Sequence, residues 1–550
     1  MTLRYVAELA ELRQAFPRPD PQDADDAAVA EALADVVRRA LALKSSAPQL
    51  AGTARGGAAA ATARLPDHPA PLEHVFAELL ACLAGLPLEI HPYNQVNVNA
   101  QPSTAGLAGV LLPALFNPNL SSNGRGAGCS DAERRVTAMV ARLVGYDPHE
   151  AAGLFTFGGT GTMLYGVKLG LETAVPGALL RGIDRPVVVL ASEHAHHTCL
   201  TAAGWLGIGQ ERVWRLPAGP DHAVQLEVFR DRARQAVRQG YRIAALVATV
   251  GTTDAFGLDD VAGIVELRDE LVRSESLDYV PHVHADAVIG WAWTVFGEYP
   301  WEENPLEFPA DTCEALAATA GRVAALAHAD SLGVDFHKTG FVPYVSSLFM
   351  VRQQEQFTRL LRDPSTMPYL FHAGNYHPGM YSLETTRSAS GVLAALASLE
   401  LCGRRGLQVL LGHAVTRTQE FRRRLASLPW LQIVNARNGG PVTLYRAYPP
   451  GSIPAVAWER ECTDASSGSW SLEVNDLNRQ LHQATQAAAR SGTAAGAGWT
   501  ERVRHGAAGQ PLAALKTYLL SPFLTEQHLE SLVGNLRQAY ARWQQNRSVS

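Results

Sequence analysis

The sequence is short of cysteine, of charge of one sign and of long hydrophobic runs. Six cysteines in 550 residues (Cys82, Cys129, Cys199, Cys313, Cys402 and Cys462) are scattered without a CxxC pair. That pattern speaks against a disulfide frame and for reduced thiols in a cytosol. The longest apolar stretch, near Ala105–Phe116, is too short to span a bilayer. With Glu8 and Glu11 in the first turns, no signal peptide is expected there. A formal charge of −6 gives no electrostatic reason to expect a nucleic-acid partner. What is present, 47% hydrophobic and 18% charged residues, is globular, and the length suits two or three domains. A soluble cytoplasmic protein with no membrane or nucleic-acid partner is expected.

Along the chain, residues 1–104 carry helical patterns around Arg4–Phe16, Asp25–Leu43 and Leu72–Leu86. Residues 51–63 form an Ala/Gly-rich linker of low complexity. From 105 to 403 short β-branched runs (Pro186–Ser192, Ile243–Val250, Tyr279–Asp286, Leu332–Phe336) alternate with helices such as Leu226–Gln239 and Asp259–Arg273. This alternation predicts an α/β domain with a mostly parallel sheet and helices on both faces. Residues 404–550, with a helix at His413–Ala426 and a closing helix from Thr525, read as a small α+β domain.

In an open α/β sheet, ligands sit beyond the carboxyl ends of the strands, and four strand ends here are polar. They are Ser192-Glu193-His194-Ala195-His196-His197, Gly251-Thr252-Thr253-Asp254, His284-Ala285-Asp286 and His337-Lys338. Lys338 at the mouth of a buried strand is either an ordinary boundary lysine in water or, if desolvated, is paired, deprotonated or bonded, and a Schiff base to an aldehyde cofactor is one stable arrangement. Asp286 at the end of another strand needs a cation, for which a protonated pyridine nitrogen or a structural salt bridge serves. Gly158-Gly159-Thr160-Gly161-Thr162 precedes a helix through Met163–Thr173 and suits an anion at a helix N-terminus, although it is neither a P-loop nor GxGxxG. His196 suits a ring stacked on a planar cofactor. The histidine cluster with His282 and His284 is the alternative, a metal-dependent hydrolase, but it lacks the aspartate of HxHxDH; no metal is expected.

Taken in order, these segments resemble the pyridoxal-phosphate-dependent group II amino-acid decarboxylases over roughly residues 90–400. The resemblance implies the aspartate-aminotransferase-like fold type I and the cofactor pyridoxal 5'-phosphate. It implies that Gly159, Thr160, Gly161 and Thr162 form the phosphate loop and that His196 stacks on the ring. Thr253 matches the Gly-Thr-Thr turn, Asp286 the aspartate at the pyridine nitrogen, His337 a phosphate contact and Lys338 the Schiff-base lysine. Leu383-Glu384-Thr385-Thr386-Arg387-Ser388 looks like the segment whose arginine, here Arg387, either holds the substrate carboxylate or braces a helix.

Lys338-Thr-Gly-Phe-Val-Pro-Tyr344 and Met367-Pro-Tyr369 are most similar to the bacterial tyrosine decarboxylase branch. Tyr344 or Tyr369 is then expected over the reacting carbon, and Asn94 in the polar stretch His91–Asn99 is expected in the substrate pocket. The departures are Ala-Val-Ile-Gly-Trp after Asp286, Gly161-Thr162 for Glu-Ala, and Phe336 for the usual proline. They surround the pocket and bear on the substrate more than on the cofactor. The implied activity is decarboxylation of an aromatic, tyrosine-like L-amino acid by a homodimer with its site at the subunit boundary. An aldehyde-forming decarboxylase and a carbon–carbon lyase are alternatives in the same cofactor class.

Overall fold

The computed structural model describes residues 4–21, 23–53, 61–367 and 374–549. Residues 54–60 of the Ala/Gly-rich stretch lie outside the described residues. Seven strands make the main sheet: β1 (Ala152–Thr156), β2 (Val187–Ser192), β3 (Val213–Leu216), β4 (Arg242–Thr249), β5 (His282–Asp286), β6 (Ser331–Asp335) and β7 (Ser347–Val351). Their order is β1-β7-β6-β5-β4-β2-β3. The run β3-β2-β4-β5-β6 is parallel, and β7 is antiparallel to both β6 and β1. Every residue of β2, β5, β6 and β7 is buried, as expected for strands covered on both faces. Phe336, read as the last residue of a strand, instead opens a single helical turn, Phe336–Thr339.

The helix Gly159–Ala174 lies against this sheet, and its glycines set the distance. A side chain at Gly166 would collide with the ring of His284, and one at Gly170 with the carbonyl of Ala244. The helix begins at Gly159, earlier than the apolar periodicity indicates, because Gly158 at φ 121° turns the chain sharply out of β1.

A second, antiparallel sheet of β8 (Leu431–Ile433), β9 (Val442–Ala447), β10 (Gly498–His505) and β11 (Pro511–Tyr518) has the order β10-β11-β9-β8. Helices Gly468–Arg490 and Glu526–Val549 pack on it through Leu477, Leu481, Leu529 and Leu536. The helix Ser390–Ala426 leads into this region and is broken at Gly403 (φ 53°, ψ −171°), where the expected boundary falls. The first three helices, Arg4–Arg13, Asp23–Leu41 and Leu72–Leu83, bury no residue within the chain. No helix among the described residues is long and apolar enough to cross a membrane.

Because Gly166 has no room for a methyl group, Gly166→Ala must displace His284 or lift the helix. The expected cost is about 1–3 kcal/mol, read as a lower urea midpoint.

Candidate active site

A cavity of about 200 Å³ opens at the carboxyl ends of β2, β4, β5 and β6. Gly159, Thr160, His196, Thr253, Asp286, His337 and Lys338 line it, together with Thr198, Thr249, Gly251, Val288 and Asp335. Seven residues drawn from five separate chain segments thus converge on one space. Gly161 and Thr162 sit behind it. Gly161 packs on Thr156, and Thr162 Oγ1 donates to the carbonyl of Gly159 at 2.9 Å. Gly159 itself leaves space for a carboxylate, since a Cβ there would lie 2.9 Å from Asp335 Oδ2.

Asp286 ends β5 and is 5% exposed. Burial pushes its carboxyl up to about 6, with Lys338 opposing the rise and Asp335 adding to it. Lys338 Nζ nevertheless pairs with Asp335 at 3.0 Å, leaving Asp286 without a salt bridge among the described residues. Opposite Asp286 in register stands Thr249, whose buried Oγ1 has no hydrogen-bond partner. His196 has its Nδ1 3.2 Å from Thr198 Oγ1. Burial, then His197 and Lys338, lower it to about 4, so it is neutral near pH 7.

Asp335 is the site residue that the sequence reading missed. Its Oδ1 accepts from Ser347 Oγ at 2.6 Å, and its Oδ2 lies 3.5 Å from His337 Nε2. The signal was present as an aspartate three residues before the lysine, at one helical turn. His337 Nδ1 sits 3.1 Å from the carbonyl of Ser346, and burial lowers its basicity.

Three expected substrate residues are placed elsewhere. Tyr344 is 62% exposed and does not line the cavity. Its ring lies 4.5 Å from that of His337 and its hydroxyl donates to Asn99. Asn94 turns to its own loop, with its Nδ2 3.5 Å from the carbonyl of Leu88; Asn99, not Asn94, is the member of this stretch that reaches Tyr344. Arg387 is enclosed by Glu133 (2.5 and 3.1 Å) and the carbonyls of Leu120 and Phe155. A guanidinium so engaged braces the helix start and is not free for a substrate carboxylate. Tyr369 lies outside the described residues.

The histidines do not gather as ligands. His282 and His284 share Ser331 Oγ at 2.7 and 2.9 Å inside the sheet, whereas His197 is exposed beside His196. Among the described residues no group of three or more His, Cys, Asp or Glu side chains is disposed to hold a metal ion.

The chain is similar to the L-2,4-diaminobutyrate decarboxylase of Rhizobium meliloti (strain 1021), with 26% identity over 397 residues, 71% of this chain and 73% of that protein. It is also similar to the L-tyrosine decarboxylase of Enterococcus faecium, with 25% identity over 313 residues, 53% of this chain and 48% of that protein. Oryza sativa TDC, solved with PLP and tryptamine, has a TM-score of 0.75 at 16% identity over 96% of this chain and 100% of that one. No family model matches the chain. The relatives are group II pyridoxal-phosphate-dependent decarboxylases, and they do not single out the tyrosine branch. The fold is fold type I.

Removing Arg387 isolates a buried carboxylate. Arg387→Met is expected to lower stability by about 3–5 kcal/mol in chemical denaturation, with substrate affinity of the folded fraction unchanged. A loss of affinity without loss of stability contradicts this placement.

Proposed function

We propose that the chain is a group II decarboxylase that removes the α-carboxylate of an aromatic L-amino acid, bound at the cavity at the carboxyl ends of β2, β4, β5 and β6. The enzyme class is pyridoxal-phosphate-dependent amino-acid decarboxylase; the side chain it accepts is our reading. The observation that carries it is Asp286, a buried carboxylate without a salt bridge, facing a cavity that also holds a lysine and a neutral imidazole.

The residues present fit the cofactor. Asp286 lacks a cation, and a pyridinium nitrogen supplies one. Thr249 Oγ1 lacks a partner in the same cavity. The backbone at Gly159 and Thr160 offers N–H groups at a helix N-terminus for a phosphate. Bound there, pyridoxal phosphate supplies an electron sink for the pair left when CO₂ departs.

The protein's own residues do the rest. Lys338 Nζ is the nucleophile that holds the aldehyde. Asp286 keeps a proton on the pyridine nitrogen, its negative charge stabilised by the cation it gains. His196, neutral and held by Thr198, is the flat wall that fixes the ring plane. His337, which lines the same cavity, would help hold the phosphate. Lys338, which lines the cavity, returns a proton to the α-carbon.

Aromatic specificity is supported by the Lys338–Tyr344 segment and by the tyrosine decarboxylase among the relatives. The diaminobutyrate decarboxylase among them names the competing substrate. We further propose a cytoplasmic homodimer with the site at the subunit boundary. Supporting this, Leu107, Leu111, Leu112, Leu115 and Phe116 are exposed on one helix, and Leu111, Leu115 and Phe116 share a cleft with the helix Asp23–Leu41, which buries nothing within one chain. Contiguous apolar surface of that kind marks an interface.

Three outcomes follow. Purified protein loaded with pyridoxal phosphate is yellow, Lys338→Ala loses the imine absorption, and Asp286→Ala stays folded while losing most turnover. In an amino-acid panel scored by CO₂ release and by amine against aldehyde product, tyrosine exceeds diaminobutyrate by about tenfold or more in kcat/KM; the reverse order sinks the aromatic reading. Because the carboxyl of Asp286 is raised to about 6, it is neutral below that pH and must lose its proton to pair with the pyridinium. Cofactor affinity should therefore fall by about tenfold per unit below pH 6, and equilibrium titration of Asp286→Asn should lack that limb.

A further inference from the structure

Asp335 is 1% exposed and held from several directions. Ser347 on β7 donates to Oδ1 at 2.6 Å, and Trp291 Nε1 donates to its backbone carbonyl at 3.3 Å. Gly159 closes over Oδ2, where a side chain would have no room. The turn Phe336–Thr339 then folds Lys338 back so that Nζ lies 3.0 Å from that oxygen. Such a carboxylate cannot follow a moving partner; the partner must return to it.

We infer that Asp335 is a positioning residue for Lys338: its fixed carboxylate holds Nζ, and the positive charge that nitrogen carries, over the end of β6. The inference rests on the decarboxylase reading, in which the lysine is bonded to the cofactor and later displaced by the substrate amine. The other titratable groups facing Nζ are Asp286 from β5, His196 from the turn after β2 and His337 from its own turn. Both imidazoles are driven toward neutrality by burial. Asp286 is committed to the pyridine nitrogen, which leaves Asp335 as the counter-charge for the lysine nitrogen.

This placement gives Lys338 a defined task once CO₂ has left. An N–H bond of the held ammonium breaks, its proton forms a C–H bond with the electron pair on the α-carbon, and the nitrogen is left as a neutral amine. That amine is the nucleophile needed to recover the aldehyde.

The test is a spectrophotometric pH titration of cofactor-loaded protein, in which the yellow band reports a proton on the lysine nitrogen. A carboxylate within about 4 Å favours the cation, so Asp335→Asn should move the midpoint for loss of the band to lower pH by about one unit or more. Asp335→Glu should restore at least half of the shift. Ser347→Ala keeps the charge but frees Oδ1, and should shift the midpoint the same way by less; it decides the matter if Asp335→Asn does not fold. An unchanged midpoint in a folded, cofactor-loaded Asp335→Asn, or in Ser347→Ala in its stead, overturns the role of Asp335. A wild-type protein that never turns yellow overturns the decarboxylase reading, and this inference with it.

Discussion

A lysine ammonium at the end of a buried strand is the constraint on which the site depends. Desolvating such a charge costs several kcal/mol unless a counter-ion and hydrogen bonds replace water. Asp335 supplies the counter-ion, 3.0 Å away and on the same chain turn. The neighbouring elements follow from that pair. β7 runs antiparallel beside β6, which sets Ser347 opposite Asp335. The loop after β1 passes as glycine because any side chain at Gly159 would meet the carboxylate. Trp291 caps the strand's last carbonyl. The glycine turn after β1, the lysine turn and the antiparallel strand are thus one packing problem with one solution.

The parallel strands were legible because burial on both faces leaves continuous β-branched runs, and the runs ending at Ser192, near Val250 and at Asp286 correspond to β2, β4 and β5. Strands β1, β3 and β7 are not distinguishable in the sequence. β1 (Ala-Gly-Leu-Phe-Thr) and β7 (Ser-Leu-Phe-Met-Val) are five residues long, and β3 is a four-residue edge strand. At that length an apolar run does not tell strand from helix. The cavity residues were legible for a related reason: polar residues that end buried strands stand out from what precedes them.

What stayed hidden depends on contacts distant in sequence. Asp335 reads as one polar residue inside an apolar strand until β7 brings up Ser347 and the helical turn brings back Lys338. Arg387 reads equally as a ligand of the substrate carboxylate or as a helix brace until Glu133, 254 positions away, takes its guanidinium. Glu133 carries no local mark, being one of two acidic residues in an amphipathic helix, Gly128–Val144. Asn94 and Asn99 are likewise indistinguishable as letters. Only the path of the loop decides which of them meets Tyr344.

The two carboxylates of the cavity show how environment divides one residue type into two roles. Both end neighbouring strands, and both are almost wholly buried. Asp335 holds a hydroxyl, an ammonium and the edge of an imidazole within 3.5 Å, so its charge is answered inside the protein. Asp286 has no such set, and desolvation raises its carboxyl to about 6. A single lysine cannot serve both, and the turn after β6 commits it to Asp335. The cavity is therefore one positive charge short at Asp286. Of the groups that could enter from solution, a planar cation with an anionic tail answers both that deficit and the helix N-terminus at Gly159. The chemistry of such a group is its own; the charges it would have to answer are set by the one lysine the fold has already spoken for.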